Sequence, residues 1–469
     1  MAKTLYVISD LHLGGAAATA DRPSFQMCPP AGQQRLAEFL EHVIRQRGAT
    51  AGAAGETHLV LAGDIVDYLA EEQFAAFTGD DEAARAKLAA IMDRTAVVWD
   101  ALAAVVRAGV RLTMLLGNHD VELALPAARR LLLERIGDRG VELVHDNQAF
   151  VAGPVLIEHG NRYDAWNAVD HDALRGYRSK LSRREPPPAF RPPAGSELVC
   201  RVMNRIKAKY PFVDLIKPED ASLLPLLAVL HPATVHELKT VLPLRRRQAA
   251  LAFDSDGAPL DPENIAGAPG DEDEAHLELA ARLAFGGDPA DIGLMETLAD
   301  YYELVRLGWN GGDRVTQLDR LLTALRARSV AAWQALDVNR EVSTYLRPAE
   351  AAARRGFQLI VYGHTHLVKR VPLLVAGPAV YLNTGTWADL MQVPEAVVEG
   401  DKAEARRQLD AFTDDLVANR LERWRRQIPT FARIELDAKV TGDVYFYDGG
   451  DRVERVPDGR LARLAEVRP

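Results

Sequence analysis

The sequence predicts an α/β fold, because short apolar runs alternate with longer segments of helical periodicity. The first half of the chain holds four apolar runs of the length and character of buried strands. Between them lie segments in which apolar residues recur every three to four positions. Strands separated by helices of this length imply right-handed crossovers and a largely parallel sheet that is covered on both faces.

The elements of the first half follow one another as strand, helix and strand. Strands are predicted at residues 5–9, 58–62, 110–116 and 155–158, and helices at residues 33–47, 81–108 and 123–136. The first helix shows the pattern most clearly, since its apolar residues form one stripe: Leu36, Phe39, Leu40, Val43 and Ile44. Such a stripe faces a core.

The pattern changes from about residue 163 to residue 356, where helical segments dominate and prolines cluster at residues 186–193. Basic residues outnumber acidic ones twelve to six over residues 162–217, and acidic residues dominate over 254–303. Strand patterns resume at residues 357–362, 380–383, 431–436 and 444–447. We therefore predict half of a core at residues 1–162, a helix-rich insertion or cap at 163–356, and the other half at 357–469, with a helical insertion near 394–426.

Composition excludes several classes of protein. The formal charge of −10 argues against long nucleic acid as a stable partner, since affinity for polyphosphates depends on clustered Lys and Arg. Cys28 and Cys200 alone cannot build a disulfide framework or a thiolate zinc site, and we expect both to be inert. No apolar run reaches the roughly 18 residues of a membrane-spanning helix. We expect a cytoplasmic protein with no transmembrane segment, and the sequence leaves the oligomeric state open.

Side chains that bind metal ions follow the predicted strands. The runs are Asp10-Leu11-His12, Gly63-Asp64-Ile65-Val66-Asp67, Gly117-Asn118-His119-Asp120, His159-Gly160 and Gly363-His364-Thr365-His366. Loops at the carboxyl ends of parallel strands share one crevice, so we expect these runs to converge. Carboxylate, amide and imidazole ligands together suit Mn²⁺, Fe or Zn²⁺ better than Ca²⁺.

Local geometry favours the same conclusion. Asp10 and His12 are two positions apart, as are His364 and His366, so in extended backbone both side chains of each pair point the same way. The glycines that precede Asp64, Asn118 and His364 allow tight turns. Each run alone has an ordinary explanation as a turn, a helix cap or a core histidine. Their joint occurrence at strand ends favours a metal site.

Together the five runs resemble the calcineurin-like metallophosphoesterases, whose pattern is DxH, GDxxD, GNH[DE], an isolated His and GHxH. The resemblance covers the α/β core, and it implies a four-layer αββα sandwich of mixed sheets. The large helical insertion is predicted from the sequence pattern and has no counterpart in the resemblance. The resemblance also implies two divalent metal ions, with Mn²⁺ preferred and Fe or Zn²⁺ possible. The implied ligands are Asp10, His12 and His366 for the first metal, Asn118, His159 and His364 for the second, and Asp64 as the bridge.

The resemblance implies a function as well. Such a protein would hydrolyse a phosphomonoester or phosphodiester, a phosphorylated small molecule, by attack of a hydroxide held between two metals. His119 would be the acid that protonates the leaving oxygen, and Asp67 would fix its tautomer. Three alternatives stay open. The first is a pyrophosphohydrolase of nucleotide-linked lipids, although that branch usually carries Arg where this chain has His119. The others are a nuclease, which needs a basic channel, and a non-catalytic scaffold of the same fold.

Four weaker candidates complete the sequence-based predictions. Arg162, Tyr163, Asp164 and Asn167 follow His159 closely, and they would either contact the substrate or pack as a loop. The basic run 175–209 is a phosphate-attracting wall or, more commonly, a solvated helix face. The apolar run 221–232 would hold an acyl chain or, more simply, form a buried helix. Residues 383–387 fall where the resembling family often has an Asn-Gly turn near its metals.

Overall fold

Two β-sheets form the centre of the molecule. The computed structural model describes residues 3–50, 56–230, 313–375 and 377–464. In this part of the chain the strands are β1 Lys3–Ile8, β2 Leu13–Gly14, β3 Glu56–Ala62, β4 Val66–Asp67, β5 Arg111–Leu115, β6 Val141–Val144, β7 Phe150–Ala152, β8 Val155–Ile157, β9 Leu359–Tyr362, β10 Val368–Pro372, β11 Val380–Thr384, β12 Asp389–Leu390, β13 Arg426–Gln427, β14 Thr430–Leu436, β15 Val440–Tyr447 and β16 Val453–Arg455.

Helices fill most of the connections. They are α1 Pro30–Thr50, α2 Asp81–Arg94, α3 Ala96–Arg107, α4 Pro126–Ile136, α5 His171–Ser182, α6 Ala194–Leu198, α7 Asn204–Lys207, α8 Leu224–Leu230, α9 Arg314–Ala327, α10 Ser329–Leu336, α11 Ser343–Arg354, α12 Glu395–Glu399 and α13 Lys402–Val417. Short 3-10 or π turns lie at Val121–Ala124, Asn161–Tyr163, Val199–Met203, Pro211–Asp214, Glu219–Leu223 and Ala462–Leu464.

Both large sheets are mixed. The seven-stranded sheet has the order β16-β15-β14-β1-β3-β5-β6, in which β1, β3, β5 and β6 are parallel and the three C-terminal strands are antiparallel. The five-stranded sheet has the order β10-β11-β9-β8-β7, with parallel β8, β9 and β11 between antiparallel edge strands. The predicted parallel arrangement therefore holds only for the central strands, because the C-terminal strands join the first sheet through short hairpins.

The sheets stack face to face between two layers of helices. In β1, alternate side chains serve two cores: Leu5 and Val7 meet Val361 of the second sheet, whereas Tyr6 and Ile8 face helices α1–α4. This alternation is the period of a strand that is buried on both faces. On the far side, α11 covers the second sheet. The predicted four-layer αββα sandwich is confirmed.

Two predicted helices differ from the observed ones. The segment 81–108 is broken at Thr95 into α2 and α3, because the Thr95 hydroxyl and backbone N–H both bond to the carbonyl of Ile91, and its φ of −117° leaves the helical region. The segment 123–136 begins as an α-helix only at Pro126, which lacks the N–H that a helix interior requires and therefore stands at the first turn.

The insertion is helical in the parts that the structure describes, residues 163–230 and 313–356. Its helices α8 and α9 share one apolar core with α13, so the predicted insertion and the helical segment near 394–426 pack together. Leu226 and Leu227 lie in this core, which agrees with the buried-helix interpretation of that apolar run. The acidic segment 254–303 and residues 231–232 lie outside the described residues, and the domain boundaries stay predictions. Among the described residues, no helix has the length and apolar character to cross a membrane.

Candidate metal centre

The predicted ligands lie at one edge of the sandwich, where central strands of both sheets end. Each ligand run begins two or three residues after a strand: Asp10 after β1, Asp64 after β3, Asn118 after β5, His159 after β8 and His364 after β9. The first two loops also run side by side. The N–H of Asp10 donates to the carbonyl of Gly63 at 3.1 Å, and that of His12 donates to the carbonyl of Asp64 at 3.0 Å. The parallel order of the strands thus carries distant residues to one place.

The side chains form two adjoining groups. Asp10, His12 and His366 each place one ligand atom within 4.8 Å of the others, and so do Asp64, His159 and His364. Nε2 of His12 lies 2.9 Å from Nε2 of His366, and Nε2 of His159 lies 3.2 Å from Oδ2 of Asp64.

The donor atoms of these groups fit metal ions. Among the described residues, Oδ1 of Asn118 has no hydrogen-bond partner although it is buried, which is costly unless another ligand satisfies it. Carboxylate, imidazole and amide donors that converge in this way match the preferences of Mn²⁺, Fe and Zn²⁺. A third group, made of His12, Asp67 and His119, adjoins the first.

Asp64 stands between the two groups. Its Oδ2 lies 3.2 Å from Nε2 of His159 and 3.9 Å from Nε2 of His12, and its Oδ1 accepts a hydrogen bond of 2.9 Å from the backbone N–H of His119. Burial alone would raise the pKa of this carboxyl, but His159 and His119 lower it well below its usual range. Asp64 is therefore an anion placed where both groups can share it.

The first group holds neutral imidazoles. Burial and the neighbouring His119 lower the pKa of His12 to about 4, and burial together with the Lys217 ammonium lowers that of His366. A neutral imidazole offers a lone pair, which is the form that binds metal. Asp10 accepts from the N–H of His364 at 3.0 and 3.1 Å, so the carboxylate of one loop orders the backbone of another.

Backbone geometry at the ligands differs from the expected extended form. Five of them have left-handed φ angles: Asp10 54°, His12 45°, Asp64 49°, His364 71° and His366 63°. The strands end before these residues, so the expected alternation of an extended chain does not apply, and tight turns aim the side chains instead. Such angles are uncommon for residues other than glycine and persist where surrounding contacts enforce them.

The three glycines serve two purposes. Only Gly63 turns with a positive φ, of 88°. Gly117 and Gly363 make room: a Cβ atom on Gly117 would lie 2.0 Å from Oδ1 of Asp64, and one on Gly363 would lie 2.3 Å from Oγ of Ser9. The predicted tight turn is thus correct for one glycine, and the other two permit close approach of the ligand loops.

His119 and Asp67 form a hydrogen-bonded pair, as the resemblance implies. Nδ1 of His119 lies 3.0 Å from Oδ1 of Asp67. Burial would lower the pKa of His119, but the carboxylates of Asp64 and Asp67 outweigh burial and raise it to about 9. The ring of His119 meets that of His12 edge to face at 4.8 Å, beside the first group.

The residues that follow His159 separate into two pairs. Asp164 and Asn167 reach the second group, since Oδ2 of Asp164 lies 3.1 Å from Nε2 of His364 and Oδ1 of Asn167 lies 3.4 Å from Nδ2 of Asn118. Arg162 and Tyr163 instead donate to Glu158, at 3.2 and 2.6 Å.

Part of the basic run forms ion pairs on the surface. Arg175 pairs with Asp172, Lys180 and Arg183 pair with Glu185, and Arg201 pairs with Glu197. This is the pattern of a solvated helix face. Lys207 differs, because it is buried against Asp214.

Several supporting residues had no predicted role. The Asp120 carboxylate accepts from the N–H groups of Ile65 and Gly117, at 2.7 Å each, and so joins two ligand loops. The hydroxyl of Ser9 donates to Asp10. Asp120 ends the third run and Ser9 precedes the first, and these positions were the only indication in the sequence. Residues 383–387 support the loops too, as the side chain of Thr386 donates to the carbonyl of Asp10 at 2.7 Å.

Residues 3–212 match the family model described as calcineurin-like phosphoesterase. Residues 3–212 therefore belong to the calcineurin-like metallophosphoesterase superfamily. No curated protein matches the sequence. The matched region includes Asp10, His12, Asp64, Asn118 and His159, while His364 and His366 lie beyond it and complete the two groups through the fold. Family and ligand cluster together support a metal-dependent phosphoesterase.

Proposed function

We propose that this protein is a dinuclear metal-dependent hydrolase of phosphomonoesters or phosphodiesters. The observation that carries the proposal is the position of the Asp64 carboxylate, which faces His12 of one ligand group and His159 of the other. Asp10, His12 and His366 would hold the first metal, and Asn118, His159 and His364 the second. Asp64 would bridge them.

The chain's own residues supply orientation and a proton. When bound, the two metals would acidify a water and polarise the phosphoryl oxygens. Asp67 holds Nδ1 of His119, which leaves Nε2 of that ring to donate a proton to the leaving oxygen. Ser9 and the His364 N–H fix the carboxylate of Asp10. Mn²⁺ is the proposed metal, with Fe or Zn²⁺ as alternatives, and the proposed substrate is a phosphorylated small molecule.

Each alternative function has less support. His119 stands where a nucleotide-linked lipid pyrophosphohydrolase would usually carry Arg. Arg175, Lys180 and Arg201, which a nuclease channel would need free for phosphate contacts, are each paired with an acid. A scaffold would be expected to lack ligands, whereas six of the seven proposed ligands lie in two groups of metal-binding side chains. The cytoplasmic location and the lack of a stable nucleic-acid partner stay predictions.

Metal analysis and an activity screen test the proposal. Metal-free protein would be titrated with Mn²⁺ and assayed with mono- and bis-p-nitrophenyl phosphate, cyclic nucleotides, a nucleotide sugar and a single-stranded oligonucleotide. We expect two bound Mn²⁺ and Mn²⁺-dependent release of p-nitrophenol, reduced at least about 10³-fold in Asp64→Asn. Asp172→Asn, on an exposed helix face, is the matched control. A wild-type protein that binds no metal, or loaded protein inactive on the whole panel, would contradict the proposal.

A further inference from the structure

We infer that Asp164 and Asn167 form a positioning unit for the second metal site, with Asp164 holding His364 and Asn167 holding Asn118. The inference rests on the proposed function, because it assigns to these two residues the orientation of two of the proposed ligands. Neither residue belongs to the five motifs; both lie at the start of the predicted insertion, on the loop between the turn Asn161–Tyr163 and helix α5.

The contact of Asp164 with His364 determines which ring nitrogen remains for the metal. Oδ2 of Asp164 lies 3.1 Å from Nε2 of His364, within hydrogen-bonding distance. With the proton on Nε2 shared with the carboxylate, Nδ1 carries the lone pair. A carboxylate on the far nitrogen of a histidine ligand fixes its tautomer and ring orientation and raises its basicity.

The contact of Asn167 with Asn118 determines which end of the ligand amide faces the metal. Nδ2 of Asn118 donates to Oδ1 of Asn167 at 3.4 Å, and Oδ1 of Asn118 is buried with no hydrogen-bond partner in the described part of the chain. An amide that donates on one side must present its oxygen on the other. Nδ2 of Asn167 in turn donates to Oδ2 of Asp164 at 2.6 Å, so the two contacts form one chain from Asn118 to His364.

The unit is held by its own loop and by the insertion. Oδ1 of Asp164 accepts from the N–H of Trp166 at 2.9 Å, and the N–H of Gly195, in α6, donates to the carbonyl of Trp166 at 2.7 Å. Gly195 also lies directly against the unit, because a Cβ atom there would stand 2.2 Å from Oδ1 of Asn167. The helical insertion therefore contributes to the affinity of the second metal without supplying a ligand.

Calorimetric titration with Mn²⁺ alone tests the inference. For metal-free wild type we expect two bound ions. In Asp164→Ala and Asn167→Ala the first site should keep its affinity, and the second should weaken about 10- to 100-fold. Gly195→Ala should shift the same site in the same direction, because the added methyl group displaces Asn167. Activity of the variants at limiting Mn²⁺ should fall and recover with excess Mn²⁺, with KM unchanged. Asp172→Ala, exposed and outside the unit, should behave as wild type.

The outcomes separate this inference from the proposed function. Two ions bound with wild-type affinities in both Asp164→Ala and Asn167→Ala would overturn the inference and leave the proposed function intact. A wild type that binds no Mn²⁺ would overturn both. If Asp164→Ala lost Mn²⁺ binding at both sites, Asp164→Asn, which keeps the shape of the side chain, would decide between the explanations. Weaker Mn²⁺ binding at the second site alone would support the positioning unit. Equally weaker binding at both sites would overturn it.

Discussion

His119 is tied to two carboxylates at once: its Nδ1 lies 3.0 Å from Oδ1 of Asp67, and its backbone N–H donates to Oδ1 of Asp64 at 2.9 Å. One bond fixes the ring and the other fixes the main chain. The proposed acid therefore has a set position relative to the proposed bridging ligand. Positioning of this kind is what general acid catalysis requires.

Replacement of His119 by Gln should affect poor leaving groups most. An alkoxide needs a proton as it departs, whereas p-nitrophenolate leaves readily without one, so kcat for an alkyl phosphate should fall about 10²- to 10⁴-fold and kcat for p-nitrophenyl phosphate much less. Asp67→Asn should show the same dependence on the leaving group with a smaller loss. Steady-state kinetics on the two substrates, with bound Mn²⁺ verified in each variant, measures this. An equal loss on both substrates would argue that His119 has another role.

Lys207 and Asp214 form an ion pair inside the insertion, with side chains only 3% and 17% exposed. Asp214→Asn leaves the buried ammonium without its counter-ion, which should destabilise the protein by about 3–5 kcal/mol. The double replacement Lys207→Met with Asp214→Leu should recover much of that loss, since it removes both charges together. Urea unfolding monitored by tryptophan fluorescence would detect these shifts.

The control for this ion pair is the exposed pair of Arg175 and Asp172, whose side chains are 62% and 86% exposed. Asp172→Asn should change stability by less than about 1 kcal/mol, because solvent screens such pairs. Equal shifts of the unfolding midpoint in Asp214→Asn and Asp172→Asn would contradict the assigned importance of burial.

The sequence contained enough information to predict the core strands and the convergence of the ligand runs. Runs of buried apolar residues mark strands, and metal-binding side chains placed directly after them, such as Asp10 and Asp64, must meet if the strands are parallel and adjacent. The five motifs together also indicated the superfamily and hence the second sheet. These predictions succeeded because they depend on local pattern and on one general rule of topology.

Features that depend on tertiary contact could not be predicted. The left-handed backbone of His364 and His366 is enforced by neighbouring loops, and nothing in the residue types requires it. Thr95 breaks a helix whose apolar stripe continues across the break, because its hydroxyl both donates to Ile91 and accepts from Nε1 of Trp99. The contacts of Asp164 exist only once the insertion packs against its loop. Long-range packing, which one sequence does not display, decides each of these.

Glu122 should make stability depend on pH. Its side chain is fully buried, Oε1 accepts from the N–H of Thr78 at 2.7 Å, and Oε2 has no hydrogen-bond partner among the residues that the structure describes. Burial raises its pKa from 4.5 to about 7, against the opposing effects of Thr78 and Lys87. Between these two values the folded protein binds more protons at this site than the unfolded chain. The contribution of protonated Glu122 to the free energy of unfolding is therefore fully present below about pH 4.5, and it is lost as the pH rises to about 7.

Glu122→Gln removes this titration. As the pH rises from 5 to 8, the wild type should lose the stability contributed by protonated Glu122, and the variant should not. The variant should therefore gain stability relative to the wild type over this range. The change should not exceed about 3 kcal/mol, and it should level off above pH 7 to 8. Urea midpoints at pH 5, 6, 7 and 8 measure it, with Glu82→Gln as the matched control because the Glu82 side chain is 73% exposed. Any constant offset from replacing Oε2 by an amide group is independent of pH and cancels in the comparison. A difference that stayed flat across this range, or that moved in favour of wild type as the pH rose, would show that the pKa of Glu122 is not raised in the folded protein.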